Sequence, residues 1–170
     1  YFVGCSTSGR QGMAMAQQFA RHYDGIIAGD PAFPGRLGAI ANNWDARHLL
    51  RDDGSEIFTQ GKLGVLHGGV MRACDKLDGL ADGILMDPRV CNFDPARLQC
   101  KGADKDDCLT AEQVAAAKAL YGGPVNSRGE KLMPGATPYG SEPSWNGAGR
   151  RSLAEGYLRY LAFPTNPPAD

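Results

Sequence analysis

Histidine is scarce in this chain: 170 residues include three, His22, His48 and His67. Charge imbalance is missing as well, because 18 Lys and Arg stand against 19 Asp and Glu, for a formal net charge of −1. Without a basic excess there is no electrostatic case for a nucleic acid or a membrane surface as partner. No apolar run approaches the ~20 residues that a membrane-spanning helix needs. No basic segment followed by an apolar stretch opens the chain, but Tyr1 already reads as strand, so this says nothing about a leader. Internal repeats are absent, and strand and helix do not alternate cleanly after Gly29. The length suits one domain with a useful core.

Chemistry enters at Val3-Gly4-Cys5-Ser6-Thr7-Ser8-Gly9-Arg10, where a β-branched and aromatic run ends in a Gly/Ser-rich corner. A helix-permissive segment follows at once. A serine at such a strand-turn-helix corner is pushed above the sheet edge, and the backbone N–H of the next residue faces the developing oxyanion. Ser6 is therefore the candidate nucleophile and the Thr7 N–H a candidate oxyanion donor. The elbow pattern G-x-S-x-G is met in part, since Ser8 stands where the second glycine would be. On these residues alone, an ordinary Gly/Ser-rich turn remains an equal alternative.

Downstream, Arg10 to Tyr23 reads as a helix that packs on the sheet through Met13, Ala16, Phe19, Ala20 and Tyr23. Gly25 to Gly29 reads as a buried parallel strand. The turn formers from Asp30 to Gly35 break this rhythm and place a domain boundary near residue 30. Helices are expected near Arg36 to Leu50 and Thr59 to Cys74, and another at Thr110-Ala111-Glu112-Gln113, a capping-box spacing that Gly122-Gly123-Pro124 later stops. Asn126 to Gly149 reads as extended loop anchored by Trp145, and Ser152 to Leu161 as a last helix.

Between Cys74 and Pro88 lies an acidic loop containing Asp75, Asp78 and Asp82, with Gly79 and Gly83 at the bends. Calcium needs six to eight oxygens, and glycines let a chain wrap such an ion. The EF-hand register fails, because counting from Asp78 puts Leu80 third and Arg89 twelfth. Spacing alone favours a solvated acidic turn at a helix end over a metal site.

Both stretches resemble the tannase and feruloyl esterase family. The first match is Gly4-Cys5-Ser6-Thr7-Ser8-Gly9-Arg10-Gln11 followed by Asp24-Gly25-Ile26-Ile27-Ala28-Gly29. The second is the Cys-Asp-x-x-Asp-Gly-x-x-Asp-Gly-Ile loop starting at Cys74. Weaker matches at Pro134-Gly135 and Tyr139-Gly140-Ser141-Glu142 extend the similarity over most of the chain. The family usually has Gly-Gly where this chain has Ser8-Gly9.

The resemblance implies an α/β fold: part of an α/β-hydrolase, strand-elbow-helix-strand, in residues 1–30, followed by a helical, loop-rich lid in 31–170. It implies calcium held by the side chains of Asp75, Asp78 and Asp82 and the backbone carbonyls of Leu80 and Ile84. It also implies disulfides Cys74–Cys91 and Cys100–Cys108. The fifth cysteine, Cys5, would pair in such enzymes with a cysteine just after the catalytic histidine.

An esterase of this type needs an acid and a histidine after the serine. None of the three histidines precedes a cysteine, and each reads as a surface or packing residue. In the family the acid and the His-Cys pair follow the lid, so the rest of the hydrolase domain is expected outside this chain, and residues 1–170 alone are expected to be inactive. The reading is of a secreted or periplasmic serine esterase acting on small aromatic esters such as gallate or ferulate esters. Phe33, Trp44, Tyr139 and Trp145 are candidates to line its pocket, though each could equally be core. The competing reading is a calcium-stabilised binding or structural module with an incidental Ser6.

Overall fold

Two short strands, Phe2–Cys5 (β1) and Ile26–Gly29 (β2), pair in parallel, with Phe2 opposite Ile26 and Cys5 opposite Gly29. The computed structural model describes residues 1–32 and 35–165, so Phe33 lies outside the described residues. The chain divides into two compact units, Tyr1–Ala39 and Ile40–Asp170.

In the first unit, helix α1 (Thr7–Gln18) connects the strands. It begins directly at the corner, three residues earlier than the sequence pattern suggests, and gives way to a 3-10 turn at Ala20–His22. The apolar stripe expected to face the sheet does not do so, for Met13 and Phe19 are 36% and 45% exposed. The buried positions of α1 are Gly9 and Gly12. A Cβ on Gly9 would sit 2.3 Å from the carbonyl oxygen of Gly29, so the missing side chain lets helix backbone meet strand backbone.

The strand expectation also needs correction. Ile27 and its register partner Val3 are 65% and 71% exposed, because α1 covers one face of the two-stranded sheet and no described element of this unit covers the other. A sheet of two strands cannot bury both faces or satisfy both edges.

The second unit is helical. It holds most of α2 (Gly35–Leu49), with α3 (Gln60–Cys74), α4 (Ala111–Gly122) and α5 (Gly147–Tyr160), joined by loops and 3-10 turns. Thr59 caps α3 by accepting from the Lys62 N–H, and Thr110 and Gln113 form the full capping box of α4. Helix α5 starts five residues before the expected Ser152, because Asn146 caps it by accepting from the Gly149 N–H. The core gathers Leu49, Leu66, Val70, Leu109, Leu120 and Trp145. Trp145 anchors the preceding loop, packing edge-on against Phe58 and Tyr121 at centroid distances of 5.8 and 5.4 Å.

Cys74 is bonded to Cys91 and Cys100 to Cys108, as the resemblance implies, and Cys5 is free and exposed. In the chain-entropy model the first closure, over a sequence separation of 17, is worth about 3 kcal/mol.

Candidate active site and acidic loop

Ser6 sits between β1 and α1 with φ 57° and ψ −117°, a conformation that L-residues with side chains adopt at a cost. Three backbone hydrogen bonds hold it there. Its N–H donates to Gly29 O at 3.1 Å, and its carbonyl accepts from the N–H groups of Arg10 and Ala32, each at 3.0 Å. Its side chain makes no capping hydrogen bond, so the exposed hydroxyl is not committed to the helix. Thr7 opens α1, and its N–H belongs to the first turn, where helix donors lack partners within the helix. Gly4 lets the start of α1 close over β1: a Cβ there would lie 2.5 Å from the backbone oxygen of Ser8 and 2.7 Å from its Cβ.

No histidine of the described structure is placed to serve Ser6 in its own unit. His22 lies beyond the far end of α1, a helix of 12 residues and so roughly 18 Å long. In the second unit, His48 Nδ1 is 2.8 Å from its own helix's Trp44 O. His67 has a partner that sequence reasoning missed, as its Nδ1 is 2.8 Å from Glu142 Oε2. Glu142 is fully buried and also accepts from the Tyr121 hydroxyl at 2.6 Å and the Gly140 N–H at 2.9 Å. Burial and this carboxylate push the Tyr121 hydroxyl well above its ordinary value. Tyr139, stacked on Tyr121 at 4.1 Å, donates to Phe93 O. The indole of Trp44 donates to Ala119 O, a packing role.

The acidic loop is ordered by its own carboxylates. Asp78 accepts from the N–H groups of Leu80 and Met86, Asp82 from that of Ile84, and Asp75 from that of Gly83. Gly79 and Gly83 take φ 97° and 82°, the left-handed bends that turn the chain around the aspartates. The donor set of three carboxylates and the Leu80 and Ile84 carbonyls is all oxygen, which suits a hard cation. One oxygen from each aspartate does not come within 4.8 Å of the others; the group that does converge among the described residues is Cys100, Asp104 and Cys108. Both of those sulfurs are spent in a disulfide. Asp104 is already paired with the buried Lys62, whose ammonium also donates to the carbonyls of Lys105 and Cys108 at 2.5 and 2.6 Å.

The family model described as "Tannase and feruloyl esterase" matches residues 1–160. The chain belongs to the tannase and feruloyl esterase family. It is 40% identical over 153 residues to a mono(2-hydroxyethyl) terephthalate hydrolase of Piscinibacter sakaiensis, covering 78% of this chain and 25% of that protein. It is 34% identical over 173 residues to a probable feruloyl esterase B-1 of Aspergillus oryzae, covering 96% and 31%. The crystal structure of an esterase from Aspergillus oryzae superposes with a TM-score of 0.77 at 29% identity, over 95% of this chain and 33% of that one. The fold is accordingly a part of the α/β-hydrolase fold of this family's esterases. The chain spans a quarter to a third of the length of these relatives.

Proposed function

We propose that the protein carrying this chain is a serine carboxylic-ester hydrolase that cleaves esters of aromatic hydroxy acids, such as gallate or ferulate esters. The observation that carries this reading is the backbone of Ser6, held at φ 57° and ψ −117° on a strand-helix corner in a chain of this family. Strain of that kind is kept where it presents a side chain for chemistry. The Ser6 hydroxyl attacks the ester carbonyl and the Thr7 N–H stabilises the oxyanion. Collapse expels the alcohol and leaves an acyl-enzyme, which water then hydrolyses.

The base and the orienting acid come, in this proposal, from the remainder of the hydrolase domain. The free Cys5 would pair beside that base, and residues 1–170 alone would be inactive. Residues 1–30 form part of the catalytic core and 31–170 the lid. Asp75, Asp78 and Asp82, with the Leu80 and Ile84 carbonyls, would hold calcium, whose contribution is structural: it neutralises three carboxylates. Two disulfides favour a secreted or periplasmic setting.

A fluorophosphonate probe applied to the whole protein tests the reading. Labelling at Ser6, lost together with ester turnover in Ser6→Ala, is the expected result. Turnover that survives Ser6→Ala refutes Ser6 as the nucleophile, and a whole protein with neither labelling nor turnover returns the acidic loop and its helices to a binding or structural role.

A further inference from the structure

Two non-glycine residues of the described chain have positive φ, and they are neighbours across the sheet. Ser6 follows the last residue of β1, and Asp30, with φ 36°, follows the last residue of β2. The parallel register pairs Cys5 with Gly29, so its continuation sets Ser6 beside Asp30, at the ~4.8 Å spacing of adjacent strands. Hydrogen bonds on either side hold this juxtaposition: Ser6 N–H donates to Gly29 O, just before Asp30, and Ser6 O accepts from the Ala32 N–H two residues after it, Pro31 having no N–H to give. Asp30 is exposed. Ligands of open α/β sheets bind outside the carboxyl ends of the strands, where both residues lie.

We infer that Asp30 is a specificity-determining residue at the rim of the Ser6 site, selecting against esters whose acyl part carries a free carboxylate and leaving neutral aromatic esters as the preferred class. This rests on the reading of Ser6 as nucleophile. The physical basis is like-charge repulsion. A substrate whose scissile carbonyl meets Ser6 and whose acyl ring extends past the end of β2 carries a ring carboxylate to within about 8 Å of the Asp30 position. At about 8 Å the repulsion is worth between about twofold in a water-like dielectric and about thirtyfold at an effective dielectric near 20. The oxyanion formed during reaction feels the same charge, but it is common to both substrate classes and cancels in their ratio. A monoester of an aromatic dicarboxylic acid, the class named for the Piscinibacter relative, is therefore a poor substrate here relative to a neutral hydroxycinnamate ester.

The experiment measures kcat/KM of the whole protein on a matched pair, the methyl ester of a hydroxycinnamic acid and a monoester of terephthalic acid. Asp30→Asn is the informative variant, because asparagine tolerates positive φ and removes the charge. The expected result is a rise of about 2- to 30-fold in the anionic-to-neutral ratio, on top of any rise common to both esters from relief of the oxyanion. Asp30→Gly, which releases the backbone as well, gives the same ratio. In the unaltered protein the ratio rises with ionic strength, a readout that needs no variant. An unchanged ratio in both variants, or an equal loss on both esters, overturns the inference. Failure of the underlying reading is distinct: it appears as turnover that persists in Ser6→Ala.

Discussion

His67 Nδ1 lies 2.8 Å from Glu142 Oε2, and the carboxylate it meets is closed off from solvent. Glu142 thereby ties α3, through His67, to α4, through Tyr121, and fixes the turn at Gly140. Replacing it with alanine strands three donors in the interior. Glu142→Ala is expected to cost about 3 kcal/mol and Glu142→Gln about half that, since the amide keeps the shape and one acceptor. Urea unfolding of the variants checks both values.

Asp45 has 1% exposure, and its Oδ2 accepts no hydrogen bond and lies 3.5 Å from Arg150 Nε. Burial pushes its carboxyl up to about 6, with Arg150 pulling the other way. The folded state thus binds the proton more tightly than the unfolded chain, whose aspartates titrate near 3.9. The contribution is full below about pH 4 and is lost as pH rises through about 6, a difference of about 3 kcal/mol. Asp45→Asn should flatten this part of the profile. Denaturation midpoints of both proteins between pH 4 and 7 would show parallel profiles if the group were inert.

Calcium at millimolar concentration is expected to raise the melting temperature, because a ligand of the folded form alone stabilises by mass action and extracellular sites commonly bind at about 10⁻⁴ to 10⁻³ M. Asp78→Ala should lose most of that response. The comparison is a pair of melts, one with calcium and one with chelator, for each protein. Equal melting temperatures for the unaltered chain in the two media would remove the ion from this loop.

Ser6→Gly separates strain from chemistry. Glycine adopts φ 57° without a side-chain penalty, so the variant should be about 1 kcal/mol more stable while ester turnover disappears. Differential melting beside an activity assay tests the pair, and a less stable variant would mean that the corner stores no strain.

The features legible in the sequence were local. The elbow showed because Gly4, Ser6 and Gly9 lie within one turn, and the α4 start because Thr110 and Gln113 sit at capping distance along the chain. Both disulfides followed from the family resemblance. The α5 start was hidden by a glycine-rich composition that masks the Asn146 cap. The packing of α1 is not legible in the sequence, because apolar periodicity points to Met13 and Phe19, whereas close approach to the sheet is made by glycines, which carry no hydrophobic signal. The Glu142 network and the Lys62 cage join residues 75 and 42 positions apart, beyond any periodic pattern.

Lys62 gives the two disulfide-bound loops different lives in changing media. Its ammonium fills the loop of Cys100–Cys108 from inside the fold, at 2.5 Å from Asp104. A cation on a four-carbon tether cannot be diluted, exchanged or stripped by a chelator; it leaves only when α3 itself unfolds. The aspartates of the neighbouring loop have no such resident charge among their recorded hydrogen bonds, so their repulsion is settled by whatever the surroundings supply. One loop is therefore indifferent to the mineral content of its medium, and on the calcium proposal the other would report it.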